Sequence, residues 1–149
     1  MKKLGEKKEK MTKERNKEMA EERLYELHVI NQQANALQQQ LKILDNNLAE
    51  LNMIKESLSD LGKSKEKEVF SHLGGGVFVK AELKDKDNVL INVGAGILIN
   101  KKLKEAEEIV VKQSKETKKI VEKLGVEINS FVEKAGILEK ELEGISEEK

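Results

Sequence analysis

Two glycine clusters, two histidines and abundant carboxylates are the residues of this chain with types suited to chemistry. Gly74-Gly75-Gly76 and Gly94-Ala95-Gly96 resemble phosphate cradles, in which bare backbone N–H groups close on an anion. Neither continues into G-x-G-x-x-G, and neither is followed by a G-K-S/T triplet, so sharp turns explain them better. His28 and His72 stand alone, without the H-x-x-x-H spacing that puts two imidazoles on one helical face for zinc. The carboxylates are scattered along helical patterns, where solvated ion pairs are their ordinary use. General acid–base work needs a concave, partly desolvated pocket, and a thin helical chain offers none. The expectation is no catalytic residue, no metal, no cofactor and no enzyme.

The glycines direct attention to the stretch that holds them. Val77, Val79, Ala81 and Leu83 alternate with Phe78, Lys80, Glu82 and Lys84. Val89, Ile91 and Val93 repeat that period of two, with Leu90 and Asn92 opposite. Four short strands follow: 67–73, 77–84, 89–94 and 97–99, with a polar turn segment at 84–88 and glycine reversals at Gly74, Gly75, Gly76, Gly94 and Gly96. Four such strands cannot bury both faces alone, and their edges present unpaired N–H and C=O groups. Residues 67–99 are therefore expected to be an assembly device. Its apolar set is Phe70, Leu73, Val77, Phe78, Val79, Val89, Leu90, Ile91, Val93, Ile97 and Ile99.

Helices flank the strands. Leu27, Ile30, Ala34, Leu37, Leu41, Leu44, Leu48 and Leu51 recur at steps of three and four, a heptad seam. The step on to Ile54 is a second three directly after Leu48–Leu51, a stammer, and Leu58 and Leu61 follow. Gly62 is placed as a C-terminal stop. A second seam runs through Leu103, Ala106, Val110, Gln113, Thr117, Ile120, Leu124, Ile128, Phe131, Ala135, Leu138, Leu142 and Ile145, with a stutter around Leu124 and Asn100 as N-cap. The expected helices, 23–62 and 100–145, are matched in length at roughly 40 residues, or about 60 Å. Folded back antiparallel, they set Leu61 near Leu103, Leu51 near Lys112 and Leu24 near Leu138, with both termini together at a tip. Residues 1–22 form a charged extension, either disordered or a solvated helix. Ser146–Lys149 is an acidic end.

Composition sets bounds on the partners. Of 149 residues, 38% are charged and 3% aromatic, with no Pro, Cys or Trp: one domain of long-helix character. A formal net charge of zero argues against a dedicated nucleic-acid binder. The absence of Cys excludes a disulfide scaffold and a thiol nucleophile and fits a reducing compartment. The charged N-terminus shows no secretory signal, and no apolar run is long enough for a membrane span.

The glycine-bracketed strands, Leu73-Gly74-Gly75-Gly76-Val77-Phe78-Val79-Lys80-Ala81 and Val89-Leu90-Ile91-Asn92-Val93-Gly94-Ala95-Gly96, resemble those of alpha-class prefoldins, as does the entry to the second helix at Asn100–Glu108. The resemblance implies an α+β fold: a long antiparallel two-helix coiled coil with two β-hairpins inserted between the helices. In the family, strands of six subunits build a β-barrel platform from which coiled coils hang. It implies a hetero-hexamer of two alpha-class and four beta-class chains in the cytoplasm. The implied function is an ATP-independent chaperone that holds unfolded client proteins and passes them to a group II chaperonin, with no nucleic-acid or membrane partner. The alternative is an alpha-like structural paralogue that self-assembles into filaments or a scaffold. On the chaperone reading the client-binding tip comprises Leu24, Tyr25, Leu27, Val29, Phe131, Val132, Ile137, Leu138, Leu142 and Ile145, apolar side chains kept in solution by charged neighbours. Gly136 and Gly144 either let that tip fray or are tolerated surface positions.

Overall fold

The computed structural model describes residues 1–147, so Glu148 and Lys149 of the acidic end lie outside the described residues. Two long helices flank two small β-hairpins along the chain. The element order is α1 (Lys2–Lys63), β1 (Glu68–Gly74), β2 (Val77–Glu82), β3 (Asn88–Asn92), β4 (Leu98–Lys102) and α2 (Leu103–Glu147). The helices are unequal, at 62 and 45 residues, rather than matched. α1 is longer because the charged stretch expected as an extension is helical from Lys2 onward. Lys and Glu are good helix formers, and the Lys13–Glu9 pair at 3.5 Å adds local support. Residues 1–15 are exposed on every side.

β1 pairs antiparallel with β2, and β3 with β4, in two separate two-stranded sheets. Among the described residues no barrel closes. Each hairpin reverses through three consecutive residues of positive φ, opened by Gly74 (120°) in the first and Gly94 (109°) in the second; the two that follow have the φ of a type I′ turn, whose twist matches the flanking strands. In the first they are Gly75 (56°) and Gly76 (78°); in the second, Ala95 (50°) and Gly96 (73°). The second turn is closed by the Ile97 N–H donating to the Gly94 carbonyl at 2.9 Å.

β4 runs three residues past Ile99, because β3 offers partners for them: Leu90 to Asn100, Val89 to Lys101 and Asn88 to Lys102. Asn100 is therefore a ladder residue and not the N-cap. α2 starts at Leu103, whose N–H donates to the Asp87 carbonyl at 2.8 Å. Gly62 likewise does not end α1. It lies inside the helix, and an added Cβ would meet Leu103 Cδ2 at 3.0 Å, so the glycine serves a close approach of α1 to α2.

The contacts divide the chain into two compact units. The terminal unit holds Met1–Leu44 and α2 from Ile120 on; the hairpin unit is Asp45–Lys119. In the terminal unit the core is Ile30, Ala34, Ile128 and Leu138; in the hairpin unit it is Ala106 and Val110. Burial also redraws the seams. On α2, Ser114 and Val121 are half-buried, whereas Gln113 and Ile120 are exposed. From Val110 the spacing then alternates four and three without a stutter at Leu124; the paired four-residue steps fall earlier, at Ala106–Val110–Ser114. On α1 the half-buried positions continue back from Leu27 through Arg23 and Ala20 to Asn16. Ile54, the residue of the stammer, is 39% exposed, at the margin of the seam.

Candidate functional site

Each unit carries a surface on which apolar side chains cluster at the solvent boundary. In the hairpin unit, period-two alternation gives each hairpin an inner and an outer face. Val69, Ala81 and Leu83 of the first hairpin, and Val89, Ile91 and Ile99 of the second, are half-buried. Val69 and Leu83 share an apolar groove of about 530 Å³ with Ile54, Leu58 and Leu61 of α1. The outer faces carry Phe70 (69% exposed), Phe78 (58%) and Leu90 (66%), and Leu73, Val77, Val79, Val93 and Ile97 are exposed with them. The His72 and Phe78 rings, opposite one another across the β1–β2 ladder, stand 4.9 Å apart.

Of the residues expected to drive assembly, then, eight are exposed and three, Val89, Ile91 and Ile99, turn inward. Leu98, opposite Asn92 on the outer face of the second hairpin, is exposed and was missed; its signal was adjacency to the Gly94–Gly96 turn. With two strands per sheet, every strand keeps one edge whose N–H and C=O groups have no strand partner among the described residues.

In the terminal unit a groove of about 650 Å³ opens between α1 and α2, lined by Ala20, Leu24, Leu142 and Ile145 with Lys13, Asn16, Lys17 and Glu21 around them. On the other flank Arg23 Nε donates to Glu141 Oε2 at 2.9 Å and also reaches Glu26 at 3.1 Å. In the register of that ion pair, Leu24 lies with Leu142 and Ile145 rather than with Leu138. The expected placement near Leu138 extended a register that set Leu61 near Leu103; in the structure the half-buried position before Leu27 is Arg23, and Leu24 is exposed.

The expected client-binding residues accordingly separate. Leu138 is buried in the core at 6% exposure. Leu27, Val29, Phe131, Leu142 and Ile145 are half-buried, and Leu24, Tyr25, Val132 and Ile137 are exposed. The Lys134 ammonium sits 5.7 Å from the Phe131 ring centroid, a cation–π contact. Lys13, Asn16, Lys17 and Ala20 were missed because the stretch before Arg23 was read as an extension. The four-three-four spacing Asn16–Ala20–Arg23–Leu27 was the available signal.

Among the described residues no group of three or more His, Cys, Asp or Glu is placed to hold a metal. No helix among them is long and apolar enough to cross a membrane.

Comparison with known proteins gives these surfaces a context. Residues 30–148 match the family model described as prefoldin subunit. Prefoldin subunit alpha of Methanobrevibacter smithii is 34% identical over 90 residues, 60% of this chain and 62% of that protein. Prefoldin subunit alpha of Pyrococcus horikoshii is 34% identical over 100 residues, 66% of this chain and 67% of that protein. The match thus spans less than two thirds of the first relative and about two thirds of the second. Among solved structures, a chain of the filamentous PFD from Methanocaldococcus jannaschii shares the fold with a TM-score of 0.66 at 23% identity, covering 76% of this chain and 95% of that one.

Proposed function

The chain belongs to the prefoldin family, and from that premise we propose that it is an alpha-class subunit of an ATP-independent holdase. The two hairpins join it to beta-class subunits in a hexamer of two alpha-class and four beta-class chains. The groove of the terminal unit holds apolar segments of unfolded clients, which pass to a group II chaperonin in the cytoplasm. One observation carries the reading: both sheets stop at two strands while their outer faces expose Phe70, Phe78 and Leu90. Two-stranded sheets are marginal in water until further strands or a packed face complete them, and the alpha-subunit relatives supply the kind of partner. Exposed apolar surface between charged neighbours supports client holding in the terminal unit in the same way. No reaction is part of this function.

The filamentous PFD of the same fold supports a second reading, in which the strand edges join copies of this chain end to end. Closure into a ring and growth into a filament differ only in the rotation between neighbours. The test of the first reading is suppression of aggregation of a denatured client without nucleotide, by this chain together with a beta-class subunit. Full protection is expected from the mixture. Open-ended growth of the single chain with weak protection supports the second reading instead.

A further inference from the structure

The two hairpins share no β-ladder, so their mutual orientation depends on the five-residue segment Leu83–Asp87 that joins them. A free linker of that length leaves two small sheets to pivot independently, and ordering them on assembly then costs conformational entropy. The segment is not free. The Leu83 N–H donates to the Lys67 carbonyl at 2.8 Å, and the Asp87 carbonyl accepts from the Leu103 N–H at 2.8 Å. Asp85 Oδ1 accepts from the Asp87 and Asn88 N–H groups at 2.8 and 3.3 Å, and Oδ2 from the Asn88 side-chain amide at 2.9 Å. Between these, the Lys86 ammonium donates to the Ser64 carbonyl at 2.9 Å and to the Glu66 carbonyl. Ser64 follows α1 directly, with its own N–H donating to Asp60 O, and Leu103 begins α2.

We infer that Lys86 is the positioning residue of the assembly surface: it pins the hairpin-to-hairpin linker to the end of α1 and so fixes the direction in which both hairpins leave the helices. The chemistry suits a lysine. An ammonium carries three donors and no acceptor, and here one donor is directed to the Ser64 carbonyl, just past the negative C-terminal end of α1, and another to the Glu66 carbonyl in the segment between α1 and β1. Its ties reach 20 and 22 residues back along the chain, joining segments that the sheets leave separate. Lys86 is half-buried, which shields the contact in part from solvent. The linker thus preorganises two open-edged sheets for partners, and preorganisation acts by removing an ordering cost from association.

The inference rests on the assembly reading above, and the experiment separates the two. Wild type, Lys86→Met and Lys86→Arg are each mixed with a beta-class prefoldin subunit. The midpoint concentration of assembly is read by light scattering, and thermal unfolding by far-UV circular dichroism. Lys86→Met is expected to raise the midpoint by about five- to thirtyfold, the effect of freeing one or so linker residues. Helix content and melting should stay unchanged, and Lys86→Arg, which keeps charge and donors, should recover most of the loss. An unchanged midpoint for Lys86→Met overturns the inference and leaves the assembly reading intact. A lowered midpoint overturns it too, as does a raised midpoint with an equal fall in melting temperature or without recovery by arginine. Failure of the wild type to assemble overturns both.

Discussion

At the residue scale, exposure decides what each apolar side chain can do. Leu24 and Leu138 look alike in the sequence, both leucines in helices with heptad character. Leu24 is 55% exposed on the wall of the terminal groove, and Leu138 is 6% exposed in the core. Leu138→Ala is expected to destabilise the terminal unit by about 2–5 kcal/mol, the usual range for a buried leucine. Leu24→Ser is expected to change stability by no more than about 0.5 kcal/mol while reducing client protection. Thermal melts and an aggregation assay on the two variants separate these roles; equal loss of stability in both would contradict the assignment. Asp85 gives a second residue-scale expectation. The Asn88 side-chain amide, then the Asp87 N–H, hold its carboxyl below the ordinary value of 3.8. A lowered folded-state value means that the turn is stabilised above pH 3.8 and loses that contribution as pH falls through the lowered value. Amide exchange at Asp87 and Asn88 should therefore speed up on acidification below pH 4, beyond the intrinsic trend. In Asp85→Asn that extra pH dependence should vanish.

At the element scale, the alternation of three- and four-residue steps made the two helices and most of the seam legible in the sequence, and glycine pairs with period-two alternation made the hairpins legible. What was not legible depended on the partner helix. Val121 rather than Ile120 turns inward on α2, although isoleucine is the more apolar, because the position opposite α1 is set by helical phase and not by side-chain size. Asn16 and Ala20 extend the α1 seam without a large apolar side chain to announce it. Asn100 had the chemistry of a cap, but the β3 ladder claimed it. The helical glycines test whether α2 is tuned for local opening. Gly136 and Gly144 have open space where a Cβ would stand, so alanine at both should stabilise the terminal unit by about 1–2 kcal/mol in sum. If opening of the helix end contributes to client capture, the same double variant melts higher and protects a client less well. Higher melting with undiminished protection assigns the two glycines no part in capture.

At the scale of the whole molecule, the chain is a poor candidate for solitary existence. Its buried apolar core consists of Ile30, Ala34, Ala106, Val110, Ile128 and Leu138, and among the described residues no large side chain is fully buried. Against that thin interior stand two open sheets whose outer faces expose Phe70, Phe78, Leu90 and Leu98 among polar neighbours. Both follow from the proposed function, in which the hairpin unit is half of an interface. The most direct measurement is the mass of the purified chain by light scattering across a concentration series, alone and with a beta-class prefoldin subunit. The account predicts a discrete complex on the order of six chains with the partner. Polydisperse growth of the chain alone would move the assignment to the filament reading, since the same edges would then join like to like. A stable monomer at every concentration, with and without the partner, would contradict the claim that these strands exist to be completed by another chain.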